Sequence, residues 1–308
     1  MIKIGTDCSG IEAPIEALKK ICDKYDLSFT HVFSSEIDKY ALQYIKDNHN
    51  PNIIFGDMTK RNINDVPDID LYVSGFPCQP FSRANKFKTS VDPRLNLFNN
   101  CLEVIRNKKP KIFILENVKT LVTLNNGKYF NEILEILNSL NIYHIHWKVI
   151  NSKDCGIPQC RDRLYIIGIS REYSKYDFLF PEKKQMKDIK DFIDDTDNTI
   201  MEIKKCNETL FQNIPNNSVF IDIGFREAKF PNSNKWAPCI TAQPNMWCVP
   251  KNRKANIKEY LSLQGFPTKN IVQNISDHQF KKKIGNSMTV DVIEGLLINC
   301  FKSINMIK

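Results

Sequence analysis

The chain predicts a doubly wound, Rossmann-like α/β sheet joined to a second, smaller domain. Three features carry that expectation. Through the first 170 residues, short apolar runs alternate with segments whose apolar residues recur at helical spacing. Several of the apolar runs end on polar or acidic residues, which is where open α/β sheets bind ligands. From about residue 181 to 256 the alternation gives way to an irregular stretch rich in Asn, Lys and Pro, and helical spacing then returns. The expected division is a large α/β domain over 1–180 and a smaller domain over 181–256, with helical segments again over 257–308. A chain of 308 residues is long enough for both.

Lys3-Ile4-Gly5 begins a strand, and Ile11 to Cys22 follows as a helix with Ile11, Ile15, Leu18 and Cys22 on one face. Thr30 to Ser34 is a strand ending at Glu36, Tyr40 to Asp47 a helix, and Asn52 to Phe55 a strand ending at Asp57. Leu71 to Ser74 is a buried strand that delivers the loop Gly75-Phe76-Pro77-Cys78-Gln79-Pro80-Phe81-Ser82. Asp92 caps the next helix, with Pro93 at its first position and Leu95, Phe98, Leu102 and Ile105 on one face. Ile112 to Leu115 is a strand ending at Glu116-Asn117, and Phe130 to Leu140 is a helix. His146 to Ile150 and Leu164 to Ile169 read as strands, and Asn256 to Gln264 and Thr289 to Phe301 as late helices.

Composition narrows the function classes. No apolar run approaches the length of a membrane span, and the N-terminus lacks a signal-peptide layout, so the expected location is intracellular. That means the cytoplasm of a bacterium or of a phage- or virus-infected host, or a eukaryotic nucleus. The ten cysteines form no Cys-x-x-Cys pair and share no ligand spacing with the five histidines, so no metal site is expected. They read as reduced thiols, nine of them as small buried hydrophobes. The net charge is +8, with Lys251, Arg253, Lys254 and the run Lys281-Lys282-Lys283 late in the chain. A local basic surplus suits a polyanion as well as it suits a solvated face.

The strand ends carry Asp7-Cys8-Ser9-Gly10, Glu36, Asp57, Pro77-Cys78 and Glu116. The first turn lacks the three glycines of the dinucleotide fingerprint, and Glu12 would oppose a pyrophosphate. A nucleotide-like cofactor without phosphates fits better. Glu36 can accept from ribose hydroxyls and Asp57 from an adenine amine, and S-adenosylmethionine offers both groups. Cys78 and Glu116 supply a nucleophile and an acid. That pair suits a pyrimidine: carbon 5 of cytosine attacks a sulfonium methyl only after thiolate addition at carbon 6 with protonation at N3. Arg161 and Arg163, two apart at a strand entry, point to one face, where a guanidinium can hold the cytosine O2 or buttress Glu116.

The ordered motifs Gly75-Phe76-Pro77-Cys78-Gln79-Pro80-Phe81-Ser82, Glu116-Asn117-Val118, Gln159-x-Arg161-x-Arg163, Leu263-Gln264-Gly265-Phe266-Pro267 and Gly285-Asn286-Ser287 resemble those of the C5-cytosine DNA methyltransferases. The resemblance covers nearly the whole chain except about 181–235. It implies an S-adenosylmethionine-dependent methyltransferase sheet, a catalytic and cofactor-binding domain over 1–180 completed by 257–308, with 181–256 as the target recognition domain. It implies Cys78 as nucleophile, Glu116 as the N3 acid, Arg163 on the target base and Arg161 supporting Glu116. The implied cofactor pocket holds Cys8, Ser9, Gly10, Ile11, Glu36, Ile37, Asp57, Met58, Pro77, Asn286 and Ser287. Gln79, Ser82, Gln243, Lys251 and Arg253 are the implied DNA contacts. The target cytosine is expected to flip out of double-stranded DNA. The expected enzyme is a monomer, with any cognate restriction endonuclease acting separately. The family's opening Asp-x-Phe-x-Gly-x-Gly-Gly is altered: here the stretch reads Thr6-Asp7-Cys8-Ser9-Gly10-Ile11-Glu12-Ala13, with the Asp displaced, Cys8 for the aromatic and two glycines lost. Two other readings are an RNA (tRNA) cytosine methyltransferase and a catalytically silent DNA-binding homologue. The tRNA branch's Cys-Phe-Thr is missing, and Cys78, Glu116 and Arg163 are intact.

Overall fold

A computed structural model describes residues 1–77, 95–201, 211, 214–224 and 232–308. The first part runs β1 (Ile2–Asp7), α1 (Ala13–Tyr25), β2 (Phe29–Ser35), α2 (Lys39–Asn48), β3 (Ile53–Phe55), β4 (Leu71–Ser74), α3 (Leu95–Lys108), β5 (Ile112–Val118), α4 (Lys128–Ser139), β6 (Tyr143–Asn151) and β7 (Asp162–Ser170). The expected Asp92-Pro93 cap lies outside the described residues. The strands form one seven-stranded sheet in the order β3-β2-β1-β4-β5-β7-β6. Its first five strands are parallel, and β7 runs antiparallel to both β5 and β6.

Alternation along β5 shows why helices must cover both faces. Ile112 and Ile114 enter one apolar cluster with α1, whereas Phe113 and Leu115 enter the other with α3 and α4. The strand order reverses between β1 and β4, leaving a crevice beyond their carboxyl ends.

A second, three-stranded antiparallel sheet joins β8 (Phe220–Asp222), β9 (Met246–Cys248) and β10 (Arg253–Lys254). Helices α5 (Ile257–Leu263), α6 (Asp277–Asn286) and α7 (Val290–Ser303) follow. The Asn256 side chain accepts from the Glu259 N–H while Glu259 accepts from the Asn256 N–H, which fixes the start of α5. Helix α7 packs on α1, so the late part of the chain completes the first sheet's cover. Helix α6 was not expected from the sequence. It carries Lys281-Lys282-Lys283, and its packing commits two of them: Lys283 is buried against Asp38, and Lys281 lies over the Tyr260 ring. No helix among the described residues is long and apolar enough to cross a membrane.

Candidate active site

The crevice between β1 and β4 holds a cavity of about 350 Å³, part of it open to solvent. The loop after β1 supplies Cys8, Ser9 and Gly10, the loop after β4 supplies Gly75, β5 supplies Glu116, and the α6–α7 junction supplies Asn286, Ser287 and Met288. The loop after β1 follows a tight path, with Cys8, Gly10 and Glu12 at φ 50, 56 and 62°. Ser9 pins it to β2: its hydroxyl accepts from the Ser35 N–H at 3.0 Å and its own N–H donates to the Ser35 carbonyl at 3.1 Å.

Glu36, one residue past β2, accepts from the N–H groups of Gly10, Ile37 and Asp38 at 2.8, 2.8 and 2.9 Å. A carboxylate offers about four lone-pair sites, so one remains for a ligand hydroxyl. No lysine or arginine lines the cavity. Its residues therefore fit a nucleotide-like cofactor that lacks phosphates. The remaining expected pocket residues are spread out. Ile11 is buried beneath the loop, Met58 is buried with its Sδ 3.8 Å from the Cys8 Sγ, and Pro77 is exposed just before Cys78. Ile37 is 74% exposed. Asp57 accepts from the N–H and hydroxyl of Thr59, so its carboxylate serves its own turn.

Sequence reading missed a buried network under the same loop. Asp7 is fully buried at the end of β1, held in two contacts of 2.5 Å by Arg61 and in a third of 2.6 Å by the Tyr72 hydroxyl. The Arg61 guanidinium packs on both the Phe33 and Phe55 rings, 5.2 and 5.4 Å from their centroids. Asp7 was visible as a strand-end residue, but Arg61 sits in an irregular segment with no spacing to mark it.

At the chemical end, burial raises the Glu116 carboxyl above its ordinary range, and the charges of Arg163 and Arg161 offset this only in part. The Arg163 Nε lies 3.1 Å from the Glu116 Oε1. Asn117 donates at 3.0 Å to the Phe76 carbonyl and so ties the end of β5 to the loop that leads to Cys78. Gly75 belongs where it is because a Cβ there would stand 2.8 Å from the Met288 Cε and 3.5 Å from Glu116.

The expected division between the two arginines is corrected. Arg163, not Arg161, pairs with Glu116. Strand β7 begins at Asp162, so Arg161 lies in the bend before it and strand alternation does not apply. Its buried guanidinium instead donates to the carbonyls of Ile240, Gly285 and Ser287 at 2.7, 3.2 and 2.6 Å. Gln159 and Gln264 extend the hub. Gln159 accepts from the Ile240 N–H, and Gln264 donates to the Ile284 and Ser287 carbonyls. Residues near 160, 240 and 285 are thereby fastened together behind the cavity.

Cys78, Gln79 and Ser82 lie outside the described residues. Arg253, expected on DNA, is corrected: only 2% of its side chain is exposed, and it makes a two-pronged pair with Glu259 at 2.8 and 2.9 Å. A guanidinium committed in that way has no prong left for a phosphate. Lys251 is paired with Asp195 at 2.8 Å, whereas Gln243 is exposed on the second sheet's side. Among the described residues no cluster of His, Cys, Asp or Glu could hold a metal ion.

A crevice at the switch point with no cationic side chain in its lining, bordered by a largely buried carboxyl with a raised pKa, fits a Rossmann-like group-transfer enzyme of the methyltransferase class. The profile of the C-5 cytosine-specific DNA methylases matches residues 6–302, and the chain belongs to that family and is a DNA cytosine-5 methyltransferase. It is 38% identical over 275 residues to the type II methyltransferase M.NgoBI of Neisseria gonorrhoeae, covering 86% of this chain and 84% of that protein. It is 36% identical over 285 residues to the type II methyltransferase M.HaeII of Haemophilus aegyptius, covering 90% and 87%. In fold it is similar to a DNMT2 of Spodoptera frugiperda, with a TM-score of 0.72 at 19% identity over 98% of this chain and all of that one. A putative prophage DNA modification methyltransferase of E. coli gives a TM-score of 0.73 at 18% identity over 99% of this chain and all of that one.

Proposed function

We propose that the chain methylates carbon 5 of cytosine within a specific double-stranded DNA sequence, working from an S-adenosylmethionine pocket after β1 and a nucleophile at Cys78. The observation that carries this reading is Glu116. It is a largely buried carboxyl, its side chain 12% exposed, with a raised pKa; it borders the crevice and has Arg163 against one oxygen. Such a group keeps its proton to higher pH than an ordinary carboxyl and can deliver it to a ring nitrogen.

S-adenosylmethionine, bound in the crevice, supplies an electrophilic methyl group. The Cys78 thiolate forms a bond to carbon 6 of the flipped cytosine while Glu116 gives its proton to N3. That addition makes carbon 5 nucleophilic enough to accept the methyl group, for which the cofactor's neutral thioether would be the leaving group. Loss of the carbon 5 proton to solvent re-forms the ring double bond, the carbon–sulfur bond breaks, and Glu116 recovers its proton. Arg163 orients Glu116 throughout. The cofactor is held at its ribose by Glu36 and against the backbone by Ser9, Gly10 and Asn286-Ser287.

Residues 181–256 serve as the recognition domain, any cognate nuclease acts as a separate protein, and the enzyme acts as a monomer on intracellular DNA. The test uses target DNA carrying 5-fluorocytosine. Fluorine cannot leave as the proton does, so a covalent adduct through Cys78 is expected with wild type and none with Cys78→Ser. Near-normal turnover by Cys78→Ser on ordinary DNA would overturn the mechanism. Methylation of tRNA with none of DNA would overturn the substrate.

A further inference from the structure

The loop after β1 departs from the family pattern at Glu12, and that departure is structured. Glu12 is fully buried at φ 62°, a backbone region that favours glycine, and it sits at the N-terminal boundary of α1. Strain of this kind persists where the surroundings over-determine it. Here they do. The Glu12 N–H donates to the Ser9 carbonyl at 2.9 Å, and the Glu12 carbonyl accepts from Ile15 and Glu16 at 3.1 Å each. The carboxylate does not cap the helix. Its Oε1 accepts from the Thr6 hydroxyl at 2.7 Å and from the Ser34 hydroxyl at 2.6 Å, with the His31 Nε2 at 3.5 Å. Its charge also lies at the positive end of the α1 dipole.

Proton counting gives this arrangement a direction. A hydroxyl has one hydrogen. Thr6 gives its hydrogen to Glu12, so in the 2.8 Å contact between Thr6 and Ser9 only Ser9 can donate, and that acceptor is nearer to its hydroxyl than the Thr6 and Ser35 carbonyls, both at 3.2 Å. Ser34 also gives its hydrogen to Glu12, so in the 2.9 Å contact between Ser34 and His31 the donor is the His31 Nε2. The chain therefore runs from Ser9 through Thr6 to Glu12 on one side, and from His31 through Ser34 to Glu12 on the other. Ser9 is the residue that pins the pocket loop to β2.

We infer that Glu12 is a positioning residue for the cofactor: it anchors a directed hydroxyl chain that holds Ser9, and so the pocket loop, in a shape the lost glycines no longer supply. This rests on the proposal that the loop binds S-adenosylmethionine.

Calorimetric titration of S-adenosylmethionine into the full chain tests it. Glu12→Gly relieves the backbone but removes the anchor, and the dissociation constant should rise about tenfold or more. Glu12→Gln keeps an acceptor at Oε1 and should stay within about threefold of wild type. Thr6→Val breaks the same chain one link earlier and should match Glu12→Gly. The pair combined should be no more than about twofold worse than the worse single change, because links of one chain do not add. Thermal melts of each variant show that it is folded; if Glu12→Gly is not, Thr6→Val set against Glu12→Gln carries the test. Wild-type affinity in Glu12→Gly, or losses that multiply in the double variant, would overturn the inference. A wild-type chain that binds no S-adenosylmethionine would instead remove the pocket assignment, and the inference with it.

Discussion

Replacing Arg253 by methionine separates a fold-holding arginine from a DNA-holding one. The side chain is nearly fully buried and meets the Glu259 carboxylate, itself fully buried, through two hydrogen bonds. Arg253→Met strands that carboxylate without a counter-charge, a change that typically costs about 3–5 kcal/mol. The backbone N–H groups of Asp194 and Asn256 still reach Glu259, at 3.1 and 2.8 Å, which places the expected loss near 3 kcal/mol. With a urea slope of about 3 kcal/mol/M, the unfolding midpoint should fall by roughly 1 M. Adding Glu259→Gln should recover part of the loss, since a neutral amide no longer leaves a buried charge unpaired. Binding of the surviving folded protein to DNA should keep its salt dependence, whereas loss of a phosphate contact would lower the log–log slope by about 0.9. A stability loss under about 1 kcal/mol would refute the buried-pair reasoning. A slope reduced by about 0.9 would return Arg253 to the DNA.

Two further outcomes follow from the same geometry. Glu36→Ala removes the acceptor for a ribose hydroxyl and the anchor of the Gly10 N–H, and should weaken S-adenosylmethionine binding by about 1.5–3 kcal/mol; unchanged affinity by calorimetry would take Glu36 out of the pocket. Burial lowers the His49 pKa to about 4 from an ordinary 6.5. Between those values the unfolded chain takes up a proton that the folded chain refuses, so stability falls as pH drops from 6.5 to 4, by about 3 kcal/mol in all. His49→Gln should flatten the stability–pH curve across that window, and an unchanged slope would show that His49 is not held neutral.

The sheet strands were legible because burial on both faces leaves short apolar runs bounded by turn residues, and Ile112 to Leu115 leading to Glu116 is the clearest case. Glu116 and Glu36 were legible for the same reason: a strand end has a predictable place in this topology. Arg161 was misread because alternation holds only inside a strand, and one residue of offset put it in the preceding bend. Arg253 was misread because a run of basic residues looks alike whether its partner is water, a phosphate or Glu259. Helix α6 was not legible because its polar residues outnumber its buried ones, Phe280, Lys283, Ile284 and Gly285. Glu12 was read against a phosphate, whereas its buried carboxylate accepts from the Thr6 and Ser34 hydroxyls. That contact pairs residues far apart in sequence, and no local pattern encodes it.

The crevice is walled on one side by residues 286–288, while α1, beside its first loop, is covered by Val290–Ser303. During synthesis, the strands that carry Glu36 and Glu116 leave the ribosome long before that wall exists. A nascent chain stopped near residue 180 therefore has half of the crevice and an uncovered apolar helix face. Arg161 at that stage lacks all three of its carbonyls, since Ile240, Gly285 and Ser287 have yet to be made. The crevice can close only after residues 181–256 have been translated, so the order of synthesis completes it only once the segment proposed to choose the target is in place.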